Sequence, residues 1–329
     1  MPRLVITRGM LTHFVGIRLS VKLNPWWYRM SNNLSSPLDC VIVGAGAGGL
    51  TAAIYLTRFR RNVLLMDSGR SRLNLIPTSH NYPGFPSGIK GQELLHRLNI
   101  QARKFGASIQ NGFVSKILKH GAQLFTIECE DFTLYAKTII LATGATDVTP
   151  TIEGSEKALK NTTLRYCPIC DGFEAINKKV AVLGRGAHGV KETHFIHHYA
   201  KDLTFINSSD TPDPMEDLNS LTENNIKIFD GNINSLSFTE SGLSGVSCDG
   251  STTSFDILYS ALGLKANNEL AKILELEMDG DGQVEIDEHM QTSMKAVFAI
   301  GDVACGLNQI SVAAGQAAIA ATAIHNSIA

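Results

Sequence analysis

The sequence predicts an α/β protein made of two three-layer domains, the second inserted into the first. Two glycine-rich turns, at residues 44–49 and 184–189, each follow a short apolar strand and precede a helical segment. A Cys-x-x-Cys pair lies between the two turns. An alanine-rich helix expected at residues 309–327 returns the chain to the first domain. The expected domains are therefore residues 36–151 with 263–329, and residues 152–262.

Length and composition fit two folded domains and argue against two classes of partner. The chain has 329 residues, which is more than one ordinary core holds. Hydrophobic residues make up 44% and charged residues 18%, as in globular proteins. The net charge of −2 creates no strong field for nucleic acid. No apolar run approaches the roughly 18 residues of a membrane span, so we expect neither nucleic acid nor membrane as a partner.

Residues 1–35 are expected to form an extension outside both domains. The extension is basic and contains no acidic residue, because the first acidic residue of the chain is Asp39. Its lysine and arginine residues are Arg3, Arg8, Arg18, Lys22 and Arg29. A transit peptide has such a composition. We favour the simpler interpretation that translation starts at Met30.

The first glycine turn predicts a dinucleotide site in a Rossmann-like unit of strand, helix and strand. Gly44 permits the tight turn, Gly46 lets the backbone approach a pyrophosphate, and Gly49 allows close packing of helix on strand. Asp67 follows Gly44 by 23 residues, at the end of the second strand. An acidic side chain there accepts hydrogen bonds from ribose hydroxyls.

A second acidic residue favours FAD over NAD in the first domain. Gly301 and Asp302 come directly after an apolar strand and shortly before the C-terminal helix. A carboxylate in this position can bind a polyol chain, and the helix N-terminus can face the electron-rich edge of a ring.

The second glycine turn has the same pattern but lacks an expected partner. A site for the 2′-phosphate of NADP needs arginine after the second strand, because guanidinium pairs with phosphate through two hydrogen bonds. Residues 206–213 hold two acidic residues and no basic one. The nearest basic residues are Arg185, His188 and Lys191. The sequence therefore predicts a nicotinamide-type fold without its usual phosphate recognition.

The Cys167–Cys170 pair predicts redox chemistry. Structural zinc needs four ligands, and the sequence has no second closely spaced pair. Disulfide exchange needs one thiolate that attacks and one that resolves the mixed disulfide. Asp171 can donate or accept the proton. The other four cysteines are expected to be ordinary packed residues, in a protein of a reducing, cytoplasmic compartment: Cys40, Cys129, Cys248 and Cys305.

These pieces, in this order, resemble the low-molecular-weight thioredoxin reductases, which are FAD-dependent pyridine-nucleotide disulfide oxidoreductases. The resemblance extends over about residues 39–327. The matching segments are residues 44–49, 81–86, 142–145, 167–172, 184–189 and 298–303, with Gln309.

The resemblance implies FAD in the first domain, NADPH in the inserted domain, a homodimer, and a swivel of the inserted domain between two states. It places Cys170 next to the flavin, makes Cys167 the thiol that attacks a partner, and gives Asp171 the acid–base role. The implied FAD contacts are Gly44, Gly46, Ala47, Gly49, Asp67, Ala142, Thr143, Gly144, Gly301, Asp302, Gln309 and Ile310. The implied contacts to the nicotinamide nucleotide are Gly184, Gly186, Ala187 and His188.

The sequence departs from the family where a basic cluster is expected. Asn207, Ser208, Ser209 and Asp213 stand in place of the cluster's histidine and arginines. Relatives with this loss resemble reductases that take electrons from ferredoxin or an unidentified donor, and dithiol oxidases that reduce oxygen. We expect an FAD-dependent reductase of a thioredoxin-like protein or small disulfide that uses NADPH poorly. The alternatives are a dithiol oxidase and a flavin-binding structural or sensor protein, and the complete dithiol argues against the latter.

Overall fold

The computed structural model describes residues 36–208, 215–229, 231, 233–240 and 242–328. The extension expected at residues 1–35 lies outside the described residues. So do residues 209–214, which belong to the segment without basic residues after the second glycine turn.

The described residues form seventeen strands and eight α-helices. The strands are β1 (Leu38–Val43), β2 (Val63–Asp67), β3 (Ser108–Asn111), β4 (Val114–Lys119), β5 (Phe125–Cys129), β6 (Thr133–Leu141), β7 (Ala145–Asp147), β8 (Leu164–Arg165), β9 (Lys179–Gly184), β10 (Asp202–Asn207), β11 (Lys227–Ile228), β12 (Ser237–Thr239), β13 (Gly242–Val246), β14 (Thr252–Phe255), β15 (Ile257–Ala261), β16 (Leu264–Ala266) and β17 (Val297–Ala299). The α-helices are α1 (Ala47–Arg58), α2 (Gly91–Lys104), α3 (Ser155–Lys160), α4 (Pro168–Asp171), α5 (Gly186–His197), α6 (Met215–Glu223), α7 (Glu269–Ile273) and α8 (Ile310–Ser327).

The first sheet has the strand order β3-β2-β1-β6-β5-β4, and β17 pairs with the second half of β6. Strands β3, β2, β1, β6 and β17 are parallel, whereas β5 pairs antiparallel with β6 and β4 pairs antiparallel with β5. Ile42 and Ile140 pack with helices α1 and α8, and Val41 and Ile139 pack with β4, β5 and α7. The parallel strands are therefore buried on both faces, which explains their continuous apolar sequence.

The second sheet is parallel and has the order β11-β10-β9-β15-β8. Val182 and Phe205 pack with residues of α5 and α6. On the opposite face, Leu183 and Leu258 pack with residues of an antiparallel sheet formed by β12, β13 and β14. The predicted α/β fold, with two three-layer Rossmann-like units, is confirmed.

The two units are joined by a two-stranded antiparallel ribbon. Asp147 of β7 pairs with Leu264 of β16, and Ala145 pairs with Ala266. The ribbon lies where the chain leaves the first sheet and where it returns.

Both helices that follow the glycine turns begin earlier than predicted. The sequence pattern starts them at residues 50 and 190, whereas α1 starts at Ala47 and α5 at Gly186. Glycine and alanine carry no periodic apolar signal, so the first helical turn is hidden within each glycine motif.

The contact between Gly49 and Gly44 predicts an effect on stability. A Cβ atom on Gly49 would lie 1.8 Å from the carbonyl oxygen of Gly44. Gly49→Ala should therefore lower the free energy of unfolding by about 3 kcal/mol. Gly315 in α8 is the matched control, because no described atom lies within 4 Å of its added Cβ. Gly315→Ala should raise stability by about 0.5–1 kcal/mol. Urea unfolding of both variants tests the contact, and equal stabilities would contradict it.

Candidate active site

Residues of both units line a cavity of about 370 Å³. The three catalytic candidates and all flavin candidates but one line it: Cys167, Cys170, Asp171, Gly44, Gly46, Ala47, Asp67, Ala142, Thr143, Gly144, Gly301, Asp302, Gln309 and Ile310. The exception, Gly49, packs against the backbone of Gly44. The second glycine turn, with its candidates Gly184, Gly186, Ala187 and His188, is not part of the cavity wall.

Cys167 and Cys170 form a disulfide at the start of α4. Pro168 occupies the first helical position, where its missing N–H costs nothing. The Nε2 atom of Gln309 donates to both sulfurs, at 3.5 Å from Cys167 and 3.4 Å from Cys170. Asn81 Nδ2 donates to Gln309 Oε1 at 3.0 Å and to the carbonyl of Ile169 at 3.4 Å. Side chains of the first unit therefore hold the disulfide of the inserted unit.

The side chain of Asp171, which directly follows Cys170, is half-buried. Arg165 Nη1 and Tyr259 Oη both donate to its carbonyl oxygen, at 2.9 and 2.8 Å. Its carboxylate oxygen Oδ2 lies 3.7 Å from Arg165 Nη1, and Oδ1 is buried without a hydrogen-bond partner among the described residues. Burial raises the pKa of Asp171 to about 6, although the Arg165 charge opposes this. The carboxyl group can therefore exchange a proton near neutral pH.

No sequence motif indicated Arg165 or Tyr259. Arg165 precedes Cys167 by two residues, and this closeness was its only signal. Tyr259 is indistinguishable in sequence from the other apolar residues of a buried strand.

Two helix N-termini line the cavity. Gly46 is the N-cap of α1 and Gln309 the N-cap of α8, and neither helix has an acidic residue in its first turn. The free N–H groups and the positive dipole ends suit a phosphate and an electron-rich ring.

The backbone at Gly46 and Gly144 leaves room for a bound group, and one serine hydroxyl nearby is unpaired among the described residues. A Cβ on Gly46 would have Ser71 Oγ as its nearest neighbour, 3.8 Å away, and a Cβ on Gly144 would meet no described atom within 4 Å. Ser71 Oγ is buried and lacks a hydrogen-bond partner within the described part of the chain. An orphaned hydroxyl beside open backbone fits a dinucleotide with polar groups along its length.

Asp67 lies at the boundary between two cavities. Its Oδ1 atom accepts a hydrogen bond from the backbone N–H of Gly69 at 2.8 Å. It lines the main cavity and a second, polar one formed with Arg70, Asn111 and Glu130. The contact of Asp67 with ribose hydroxyls stays a prediction.

Arg72 connects the cavity to the ribbon between the units, which no sequence motif indicated. Its Nε and Nη2 atoms donate to the two carboxylate oxygens of Asp147, and Nη1 donates to Asp302 at 2.9 Å. Burial disfavours the charge of Arg72, but the two carboxylates outweigh burial and raise its pKa. The Arg72 guanidinium group therefore neutralises both Asp147 of the ribbon and Asp302, which is predicted to bind a polyol chain.

The second glycine turn is packed like the first but surrounded by different side chains. A Cβ on Gly184 would lie 2.7 Å from the Cα of Gly189. The backbone N–H and hydroxyl of Ser208 both donate to the Gly184 carbonyl, at 2.8 and 3.1 Å. His188 Nε2 lies 3.4 Å from Glu192 Oε1, and burial raises the pKa of Glu192 to about 7. The last two residues of β10 and Ser208, which follows them, include no basic side chain.

The other four cysteines differ in how far they are buried. Burial raises the pKa of Cys40 to about 12 and the pKa values of Cys129 and Cys305 to about 11, so none is readily a thiolate. Cys248 is exposed, and its expected packing is wrong because it lies near an exposed turn after β13.

The described ranges contain no group of three or more histidine, cysteine or acidic residues able to hold a metal ion. No helix within them has both the length and the apolar character needed to cross a membrane.

Residues 38–317 match the family described as pyridine nucleotide-disulphide oxidoreductase. The chain belongs to this family. It is 30% identical over 307 residues to the "34.2 kDa protein in rubredoxin operon" of Clostridium pasteurianum, covering 86% of this chain and 95% of that protein. It is 29% identical over 294 residues to the thioredoxin reductase of Listeria monocytogenes, covering 86% and 91%.

The fold of this oxidoreductase is similar to solved thioredoxin reductases. The crystal structure from Streptococcus pyogenes superposes with a TM-score of 0.78 at 28% identity, covering 88% of this chain and 97% of that one. The predicted resemblance to thioredoxin reductases is confirmed, and membership of the family supports FAD as the cofactor.

Removing Arg72 should lower stability more than removing the arginine of an exposed ion pair. Arg72→Met would leave Asp147, whose side chain is only 8% exposed, without its cation. We expect the free energy of unfolding to fall by about 2 kcal/mol, because a buried carboxylate loses its partner. Asp147→Asn in the same chain should recover part of the loss.

Arg97→Met is the control for this experiment. Arg97 pairs with Glu93 on the surface, with side chains 59% and 48% exposed. Its removal should change stability by less than about 0.5 kcal/mol. Equal losses for Arg72→Met and Arg97→Met in urea unfolding would contradict the proposed importance of the buried pairs.

Proposed function

We propose that this protein is an FAD-dependent disulfide reductase that passes electrons through Cys167 and Cys170 to a thioredoxin-like partner. The observation that carries the proposal is the position of the disulfide. It lies on the wall of the same cavity as the first glycine turn and the N-termini of α1 and α8. A bound cofactor in this cavity would meet the sulfurs directly.

The predicted contacts divide along the cofactor. We propose that the turn at residues 44–49 and the start of α1 hold the pyrophosphate, and that Asp67 binds the ribose. Asp302 would bind the polyol chain, while residues 142–144, Gln309 and Ile310 would border the ring. FAD, when bound, supplies the two-electron reduction that opens the disulfide.

The proposed exchange then proceeds on the two cysteines. The Cys167 thiolate attacks one sulfur of the partner's disulfide, which breaks that bond and forms a mixed disulfide. The departing sulfur takes a proton, which Asp171 donates. The Cys170 thiolate attacks the Cys167 sulfur, restores the Cys167–Cys170 disulfide and releases the second partner thiol. Each turnover consumes two electrons and two protons.

The proposed domains are residues 36–151 with 263–329, and residues 152–262. A swivel of the second domain about the β7–β16 ribbon, which the family resemblance implies, would move Cys167 from the cavity to the partner. We further infer a homodimer, as the resemblance implies, and a cytoplasmic location. The cysteine count supports the cytoplasm, because one functional pair among six cysteines fits a reducing compartment.

The side chains near the second glycine turn do not favour NADPH. Ser208 stands at the end of β10, where the family has a basic residue, and its hydroxyl already bonds Gly184. Glu192 adds a carboxyl group one helical turn after His188. We propose that ferredoxin or another donor reduces the flavin. The same feature favours, as a second candidate function, an FAD-dependent dithiol oxidase that runs the exchange in reverse and reduces oxygen.

Replacing either cysteine of the pair should abolish disulfide turnover while flavin remains bound. Cys167→Ser removes the attacking thiol and Cys170→Ser removes the resolving thiol, so neither variant completes the exchange. Turnover is measured with reduced methyl viologen as the electron donor and oxidised bacterial thioredoxin as the acceptor. Bound flavin is measured by its absorbance. Cys129→Ser, a half-buried bystander, should keep full turnover. Thioredoxin reduction retained in both Cys167→Ser and Cys170→Ser would overturn the proposal.

NADPH at micromolar concentration should bleach the flavin slowly in anaerobic stopped flow, and NADH should do no better. Reduced ferredoxin, run in parallel, tests the alternative donor. A Ser208→Arg/Ser209→Arg variant should bleach faster with NADPH but not with NADH, because guanidinium pairs with the 2′-phosphate that only NADPH carries. Rapid bleaching of the native protein by NADPH would show the donor proposal wrong.

A further inference from the structure

Two side chains from neighbouring strands converge on one carbonyl group beside the disulfide. Arg165 of β8 and Tyr259 of β15 are directly paired in the register of the second sheet. Arg165 Nη1 and Tyr259 Oη donate to the carbonyl oxygen of Asp171 at 2.9 and 2.8 Å, so both lone pairs of that oxygen are used. Asp171 is the last residue of α4 and immediately follows Cys170.

Both donors are held in place by their surroundings. Tyr259 is fully buried, and the Arg165 side chain is only 11% exposed. Arg165 Nε donates to the carbonyl of Thr162 at 3.0 Å, and its guanidinium carbon lies 5.9 Å from the centre of the Tyr259 ring. A guanidinium group with its fork engaged at two carbonyls has little freedom to move.

We propose that Arg165 and Tyr259 are positioning residues that fix the Asp171 carboxyl group beside the Cys167–Cys170 pair for proton transfer. This inference rests on the proposed function, in which Asp171 is the acid of disulfide exchange. Neither side chain belongs to the cysteine motif, and neither contacts a sulfur. Both side chains donate hydrogen bonds to the backbone carbonyl of Asp171, and both favour the charged form of its carboxyl group.

The two carboxylate oxygens of Asp171 have different surroundings. Oδ2 faces Arg165 at 3.7 Å, whereas Oδ1 is buried and has no hydrogen-bond partner among the described residues. The ionisable groups that act on Asp171 are Arg165 and Tyr259, which favour its charged form, and Glu174, which disfavours it. The Tyr199 ring packs on the neighbouring Gly172. In the proposed step the carboxyl proton of Asp171 passes to the departing thiolate, no electrons move on Asp171, and solvent returns the proton.

A comparison of two disulfide substrates separates positioning from general structural damage. The protein is reduced with dithiothreitol, desalted, and mixed with an excess of a small disulfide in a single turnover, so that no electron donor is needed. Hydroxyethyl disulfide releases a basic thiolate that needs a proton. Ellman's reagent releases an aromatic thiolate that is stable without one, because leaving-group basicity governs the need for an acid.

Arg165→Met and Tyr259→Phe should each slow the reaction with hydroxyethyl disulfide by roughly tenfold and leave the reaction with Ellman's reagent within about twofold. Asp171→Asn should show the same pattern more strongly. Arg165→Lys, which keeps the charge but loses the fork, should recover only part of the rate. Lys178→Met, which removes an exposed cation, should match the native protein with both substrates.

The outcomes distinguish this inference from the proposed function. If Asp171→Asn shows no difference between the substrates, Asp171 is not the acid. The positioning inference then falls together with the acid role of Asp171, while the exchange on Cys167 and Cys170 stands. If Asp171→Asn shows the difference but Arg165→Met and Tyr259→Phe do not, only the positioning inference is overturned. Equal slowing with both substrates in Arg165→Met and Tyr259→Phe would assign them a structural role and also overturn it. Thermal unfolding confirms that each variant is folded.

Discussion

The short cysteine helix is held by hydrogen bonds from both units, and the rest of the site depends on this. Asn81 and Gln309 of the first unit bond the Ile169 carbonyl and both sulfurs. On the other side, Arg165 and Tyr259 bond the carbonyl of Asp171. Covalent attack on a disulfide and proton transfer need the reacting groups in contact, so the disulfide must be fixed relative to the cavity and to its acid. Four side chains distant in sequence from one another meet both requirements.

The two glycine turns show that backbone packing and ligand choice are separate properties. In both turns the first and last glycines are too close for a side chain, at Gly44 with Gly49 and at Gly184 with Gly189. This close approach explains the shared pattern without reference to any ligand. The side chains around each turn then decide what binds. Acidic residues and two helix N-termini surround the first turn, while the second has a serine already bonded to its own backbone.

The ion pairs of Arg72 tie the cofactor cavity to the connection between the units. Asp147 belongs to the ribbon strand β7 and Asp302 to the cavity wall, and both depend on the same guanidinium group. Because a partly buried carboxylate without a cation is costly, displacement of the ribbon would change the charge balance around Asp302. The geometry therefore links the position of the inserted unit to the electrostatics of the proposed flavin site.

The sequence by itself determined the two Rossmann-like units, the redox pair and most of the cavity wall, because glycine turns, apolar strands and Cys-x-x-Cys spacing are local patterns. It did not reveal Arg165 and Tyr259, which stand side by side only because β8 and β15 pair in the second sheet. Nor did it reveal Arg72 with Asp147, which are 75 residues apart in the chain. Only the tertiary structure decided these contacts, since hydrogen bonds between distant segments leave no periodic signal in either one.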